Sequence, residues 1–137
     1  MFRYKMKILV STFLLLISIS SFAMQTNREM ECGQFAVCSG GSCVMTSGDY
    51  SYFKYEYHTE YEGTYKLSSL EWERLESDSS VSSYVRCIYS SPIAWISFKT
   101  IPNTQWLTSG SGWSERKLGH SATCDAWTGQ CAFELIS

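Results

Sequence analysis

The segment Phe53-Lys54-Tyr55-Glu56-Tyr57-His58-Thr59-Glu60-Tyr61 alternates between aromatic or apolar-leaning residues and charged or polar ones. Successive side chains of a strand point to opposite faces, so this period of two is a strand signature. It places Phe53, Tyr55, Tyr57, Thr59 and Tyr61 on a core face and Lys54, Glu56, His58 and Glu60 on a solvated one. Aromatic residues also suit a pleated, half-buried surface. Tyr50 and Tyr52 are out of phase with the run, which predicts a bulge near Tyr52-Phe53.

Beyond this run Gly63 marks a turn or kink, and Tyr65 and Leu67 resume the alternation. Ser68-Ser69-Leu70-Glu71 fits a capping box for a short helix. Leu70 and Trp72 also continue a strand, and the strand is the favoured reading. Residues 77–83 are polar and read as a loop. The next strand is 81–89, with Val81, Val85, Cys87 and Tyr89 on one face, ended by Ser90-Ser91-Pro92. Residues 93–99 are its expected hairpin partner. Pro102-Asn103 breaks the chain, 105–107 is a short strand, and 108–112 is a Ser/Gly loop. Residues 118–124 and 131–136 are expected to pair as a terminal hairpin. Six to eight short strands with turn signals about every ten residues describe an all-β fold, a small antiparallel sandwich or barrel.

The chain has 137 residues, which suits one domain, and six cysteines. Gly40-Gly41 can supply the positive φ angles of a two-residue hairpin turn, which sets Cys38 directly opposite Cys43. Cys124 and Cys131 flank residues 125–130, a turn with Gly129 as its left-handed residue, and are expected to staple the last hairpin. Cys32 and Cys87 remain as the third pair. The pairings Cys32–Cys87, Cys38–Cys43 and Cys124–Cys131 make a disulfide framework, which belongs to an oxidising compartment.

The N-terminus agrees with that compartment. Arg3, Lys5 and Lys7 precede an apolar run from Ile8, and Ser21-Phe22-Ala23 supplies small residues at −3 and −1. These are the three parts of an export signal, and residues 1–23 are read as one. Residues 24–137 then form a single β-rich domain, secreted or periplasmic and monomeric. Cleavage takes the chain from 137 to 114 residues and, by removing three bases, its formal charge from −2 to −5. An acidic domain offers no footprint for phosphate backbones, so nucleic acid is not expected as a partner, nor stable membrane insertion after cleavage.

Catalytic signals are thin. His58 and His120 are the only histidines, no G-x-S-x-G occurs, and no C-x2-C pair offers zinc a site. Glu56, Glu60 and Glu62 are a nominal carboxylate set, better read as a solvated strand face that discourages edge pairing. No catalytic residue, metal or cofactor is expected. Aromatic residues carry the better signal: Trp106, Trp113 and Trp127 sit in or near expected loops, where indoles stack on sugars or anchor protein interfaces.

Cys87-Ile88-Tyr89, Trp106, Cys124 and Cys131-Ala132-Phe133-Glu134 together resemble a family of small exported bacterial proteins of unknown function, over roughly residues 65–135. Ala132 stands where that family has proline, and no Cys-Pro opens the mature chain. The resemblance implies a secreted β-rich domain with disulfides. Ser109-Gly110-Ser111-Gly112 is similar to the loop by which periplasmic inhibitors of C-type lysozyme enter the enzyme cleft, although Trp113-Ser114 replace the basic residue and tyrosine that follow it there. The expected function is recognition of a protein or glycan through loop aromatics. The alternative is inhibition of a secreted hydrolase such as lysozyme through the 108–113 loop.

Overall fold

The computed structural model describes residues 29–46, 50–57, 59–77, 80–127 and 129–136. The export signal read at 1–23 and His58 lie outside the described residues, as do the side chains of Tyr57 and Val81. Eleven strands are found among the described residues. They are β1 (Glu29–Glu31), β2 (Phe35–Ser39), β3 (Ser42–Met45), β4 (Phe53–Tyr57), β5 (Gly63–Ser77), β6 (Ser80–Ser90), β7 (Trp95–Thr100), β8 (Gln105–Ser109), β9 (Trp113–Lys117), β10 (Ser121–Asp125) and β11 (Ala132–Ile136).

β5 is the spine. Along one side it pairs with β6, from Lys66↔Ser90 to Ser77↔Ser80. Along the other side its first half pairs with β2 and its second half with β10, which in turn carries β9. The sheet runs β3-β2-β5-β6-β7-β4, all antiparallel, and a smaller sheet runs β1-β11-β8. The larger sheet curls until its end strands meet: the Tyr55 hydroxyl on β4 lies 3.2 Å from Cys43 Sγ on β3. The result is a nearly closed, barrel-like antiparallel fold, all β as the alternation predicts.

Between the sheets lies an aromatic core. Trp106 makes edge-on contacts with Phe133 (5.4 Å) and Tyr52 (5.7 Å), and Tyr89 does so with Phe98 (5.7 Å). Edge-to-face packing suits the ring quadrupoles. Buried tyrosines keep their hydroxyls satisfied: Tyr89 donates to Gly33 O at 2.6 Å and Tyr65 to Tyr61 O at 2.8 Å. Where β6 runs past the end of β7, its polar groups turn to β8 and to side chains. Val85 N–H donates to Thr100 Oγ1 at 3.0 Å, and the Ser83 hydroxyl donates to Trp106 O at 2.9 Å while accepting from Trp106 N–H.

All three expected disulfides form, and no cysteine is free. Gly40 and Gly41 have φ of 61° and 81°, and Cys38 faces Cys43 with Cα atoms 4.0 Å apart. Cys124–Cys131, by contrast, does not staple a hairpin. β10 belongs to the larger sheet and β11 to the smaller, so the expected terminal pair does not exist and this bridge joins one sheet to the other. Cys32–Cys87 does the same from the end of β1 to β6.

Several boundaries differ from the expectation, each for a local reason. The 53–61 strand stops at Tyr57 after a register shift between Tyr55 and Tyr57. Thr59 N–H bonds to the Tyr55 hydroxyl at 3.1 Å instead of to a ladder, and Tyr61 is 55% exposed rather than core. The irregularity expected at Tyr52-Phe53 is a 3₁₀ turn, Tyr50–Tyr52. The strand reading of 70–76 is correct, whereas the loop expected over 77–83 gives way to strand at its ends: β5 runs to Ser77 and β6 begins at Ser80, with the Ser83 hydroxyl bonded to Trp106. Residues 118–120 form a turn rather than strand, with Gly119 at φ 70° and Leu118 84% exposed. Ile93, also read as strand, is 68% exposed in the turn before β7.

Candidate functional site

The three expected tryptophans have three fates. Trp106 lies on β8, fully buried, with its Nε1 donating to Thr104 Oγ1 at 2.8 Å. It is a core residue and presents nothing to a ligand, which corrects its reading as a loop contact. Trp113 opens β9, half-buried, and its Nε1 is shared between Ala132 O (2.8 Å) and Ser109 O (3.0 Å). That indole ties the β8–β9 turn to β11. Trp127 is 63% exposed. It borders a shallow depression of about 290 Å³ with Gln34, Lys66, Leu67 and Ala126, and the Lys66 ammonium sits 3.8 Å from its ring centroid. Asp125 Oδ1 accepts the Trp127 N–H at 2.9 Å, which fixes the turn that carries the ring.

The Ser/Gly stretch is shorter than expected and pressed down. Thr108 and Ser109 belong to β8, and the turn at 110–112 packs on residues 129–130. A Cβ on Gly112 would come within 2.7 Å of Gln130 N and of Gly129 Cα. Gly110 and Gly112 thus permit close backbone approach to residues 129–130.

The acid residues are engaged individually. Glu56 grips the Arg86 guanidinium with both oxygens, at 2.8 and 3.2 Å, and Glu71 adds a third contact at 3.0 Å. Glu56 foremost, and then Glu71, hold Arg86 charged more firmly than usual despite its partial burial. Glu62 accepts Gly40 N–H at 3.1 Å. His120 faces Glu76 at 3.7 Å on the surface. Among the described residues no cluster of His, Cys, Asp or Glu is placed to hold a metal ion.

A larger cleft, of about 620 Å³, opens where β4, β6 and β7 meet the 101–103 turn. Its lining includes the polar side chains of Lys54, Glu56, Tyr84 and Lys99 and the apolar ones of Leu75, Ile101 and Pro102. The Tyr84 hydroxyl donates to Glu73 Oε2, and the Lys99 ammonium rests 4.1 Å from the Tyr84 ring. Burial, and secondly the Glu73 carboxylate, push the Tyr84 phenol up to about 12. Periodicity assigned Lys54 and Glu56 only to a solvated face and did not mark Tyr84, Arg86 or Lys99. Their proximity comes from cross-strand register, which one sequence does not reveal.

The fold and these surfaces define a disulfide-stapled, barrel-like domain of the kind suited to an oxidising compartment. Neither a family model, nor a curated protein, nor a solved structure matches the chain.

Proposed function

We propose that the protein is an exported binding module, secreted or periplasmic, that recognises a glycan through the surface centred on Trp127. The exposed indole beside a depression carries this reading. An indole face stacks on the C–H face of a sugar ring, and the Gln34 amide and Lys66 ammonium at the rim can bond its hydroxyls. The carrier turn is held by Asp125 and lies next to the Cys124–Cys131 bridge, so the ring is presented with little freedom to lose on binding.

A glycan array followed by calorimetry on the hits tests this. Trp127→Ala is expected to weaken binding by about thirtyfold or more, since central aromatic anchors are worth about 2 kcal/mol or more. Trp113→Ala is not a clean control, because Trp113 holds a turn. Lys117→Gln, on the exposed β9, should leave affinity unchanged. A blank array would remove the glycan. Capture of a protein partner that is lost in Trp127→Ala would keep the surface and change the ligand class.

A further inference from the structure

Lys54, Lys99 and Arg86 stand abreast across three strands. Lys54 on β4 is opposite Lys99 on β7, and Lys99 is opposite Arg86 on β6. Like charges directly opposite each other destabilise an antiparallel pair. Arg86 is compensated by Glu56 and Glu71, and those carboxylates are thereby occupied. Glu73 accepts the Tyr84 hydroxyl. Among the described residues neither Lys54 nor Lys99 has a carboxylate within ion-pair distance. Two cations lacking a counter-charge therefore line one wall of the 620 Å³ cleft, in a chain whose net charge is −2. Leu75, Ile101 and Pro102 give the lining its apolar part.

We propose that this cleft binds a small organic anion, a carboxylate or a phosphate or sulfate ester with an apolar body. Its charged head lies between the Lys54 and Lys99 ammonium groups and its body against Leu75, Ile101 and Pro102. A bare inorganic anion leaves the apolar wall uncovered, and an uncharged ligand leaves the lysine pair uncompensated. Both lysines stand on paired strands, which holds their backbones in place before the ligand arrives. The cleft shares no lining residue with the Trp127 depression, so the two proposals stand or fall separately.

Two dyes with the same aromatic body test the charge requirement: anilinonaphthalene sulfonate and the uncharged phenylnaphthylamine. The sulfonate is expected to bind saturably at one site and at least about tenfold more tightly than the neutral dye. Lys54→Gln/Lys99→Gln should lose that preference while its thermal midpoint holds or rises, because the opposed charges are gone. Lys117→Gln and Trp127→Ala should bind the sulfonate as the unmodified protein does. Octanoate and octyl phosphate should displace it, and the stronger competitor identifies the head group. In the unmodified protein, amide NMR shifts on titration should concentrate at Lys54, Lys99 and residues 101–103. Equal affinity for both dyes, full binding by the double lysine variant, displacement by neither competitor, or shifts centred elsewhere would overturn the assignment.

Discussion

Replacing Trp106 by alanine removes an indole with no solvent exposure, packed edge-on against Tyr52 and Phe133. Large-to-small changes at such sites cost about 3–5 kcal/mol, to be read as a fall in the urea midpoint. The same change at Trp127 should leave the unfolding free energy within about 0.5 kcal/mol, as exposed positions usually do. Sequence alone could not separate the two indoles, because both follow turn residues and burial is decided by which sheet covers the strand. Tyr84 gives a prediction with a sign. Its phenol pKa is raised from 10.0 to about 12, so between those pH values the folded protein holds a proton the unfolded chain has released. The associated stability is complete below pH 10.0 and is lost as pH rises through about 12. Phenolate absorbance during an alkaline titration should show a late-ionising step near pH 12 that is lost in Tyr84→Phe, while the Tyr55 phenol, which burial also pushes up, is unaffected by that change. Glu73→Gln should lower that pKa without restoring 10.0, because burial is the larger cause.

The hairpin of β2 and β3 and the crossing of β10 to β11 look alike in sequence, since each is a cysteine pair around a short polar, glycine-containing stretch. They differ in what the neighbouring strands offer. β2 and β3 pair with each other, whereas β10 finds β5 and β9, and β11 finds β8 and β1. The two short bridges were legible because so few intervening residues keep the Cα atoms within bridging range, and Cys32–Cys87, 55 residues apart, followed by elimination. The strand partners were not, because pairing is set by distant segments and a period of two names a face, never a neighbour. Gly112 marks the crossing: a Cβ there meets backbone atoms at 2.7 Å and Cys124 Sγ at 2.8 Å. Gly112→Ala should therefore cost about 1–3 kcal/mol, the usual penalty for overpacking. Ser111→Ala, on the exposed tip of the same turn, should be close to neutral. Equal midpoints for the two variants in chemical denaturation would show that the turn can lift away from residues 129–130.

At the scale of the molecule, two covalent links and one aromatic core hold the small sheet to the large one. Cys32–Cys87 spans 55 residues and Cys124–Cys131 spans 7, and both cross between sheets; Cys38–Cys43 spans 5 within one sheet. On the chain-entropy model the long loop is worth about 4 kcal/mol and each short loop roughly 2–3. Domains of this size have net stabilities of about 5–15 kcal/mol, so the bridges together are comparable with the whole margin. The order of loss follows from topology. Cys38→Ala/Cys43→Ala should lower stability by about 2 kcal/mol and leave the near-ultraviolet dichroism of the core aromatics intact, because β2 stays paired to β5. Cys32→Ala/Cys87→Ala should cost about twice as much and weaken that signal, because β1 and β11 lose their tether to β6, beside the buried Trp106 and Phe133. The fully reduced, alkylated chain should lack a cooperative thermal transition. If it melted cooperatively with native dichroism, the core alone would hold the sheets together, and an oxidising compartment would no longer be needed to explain the fold.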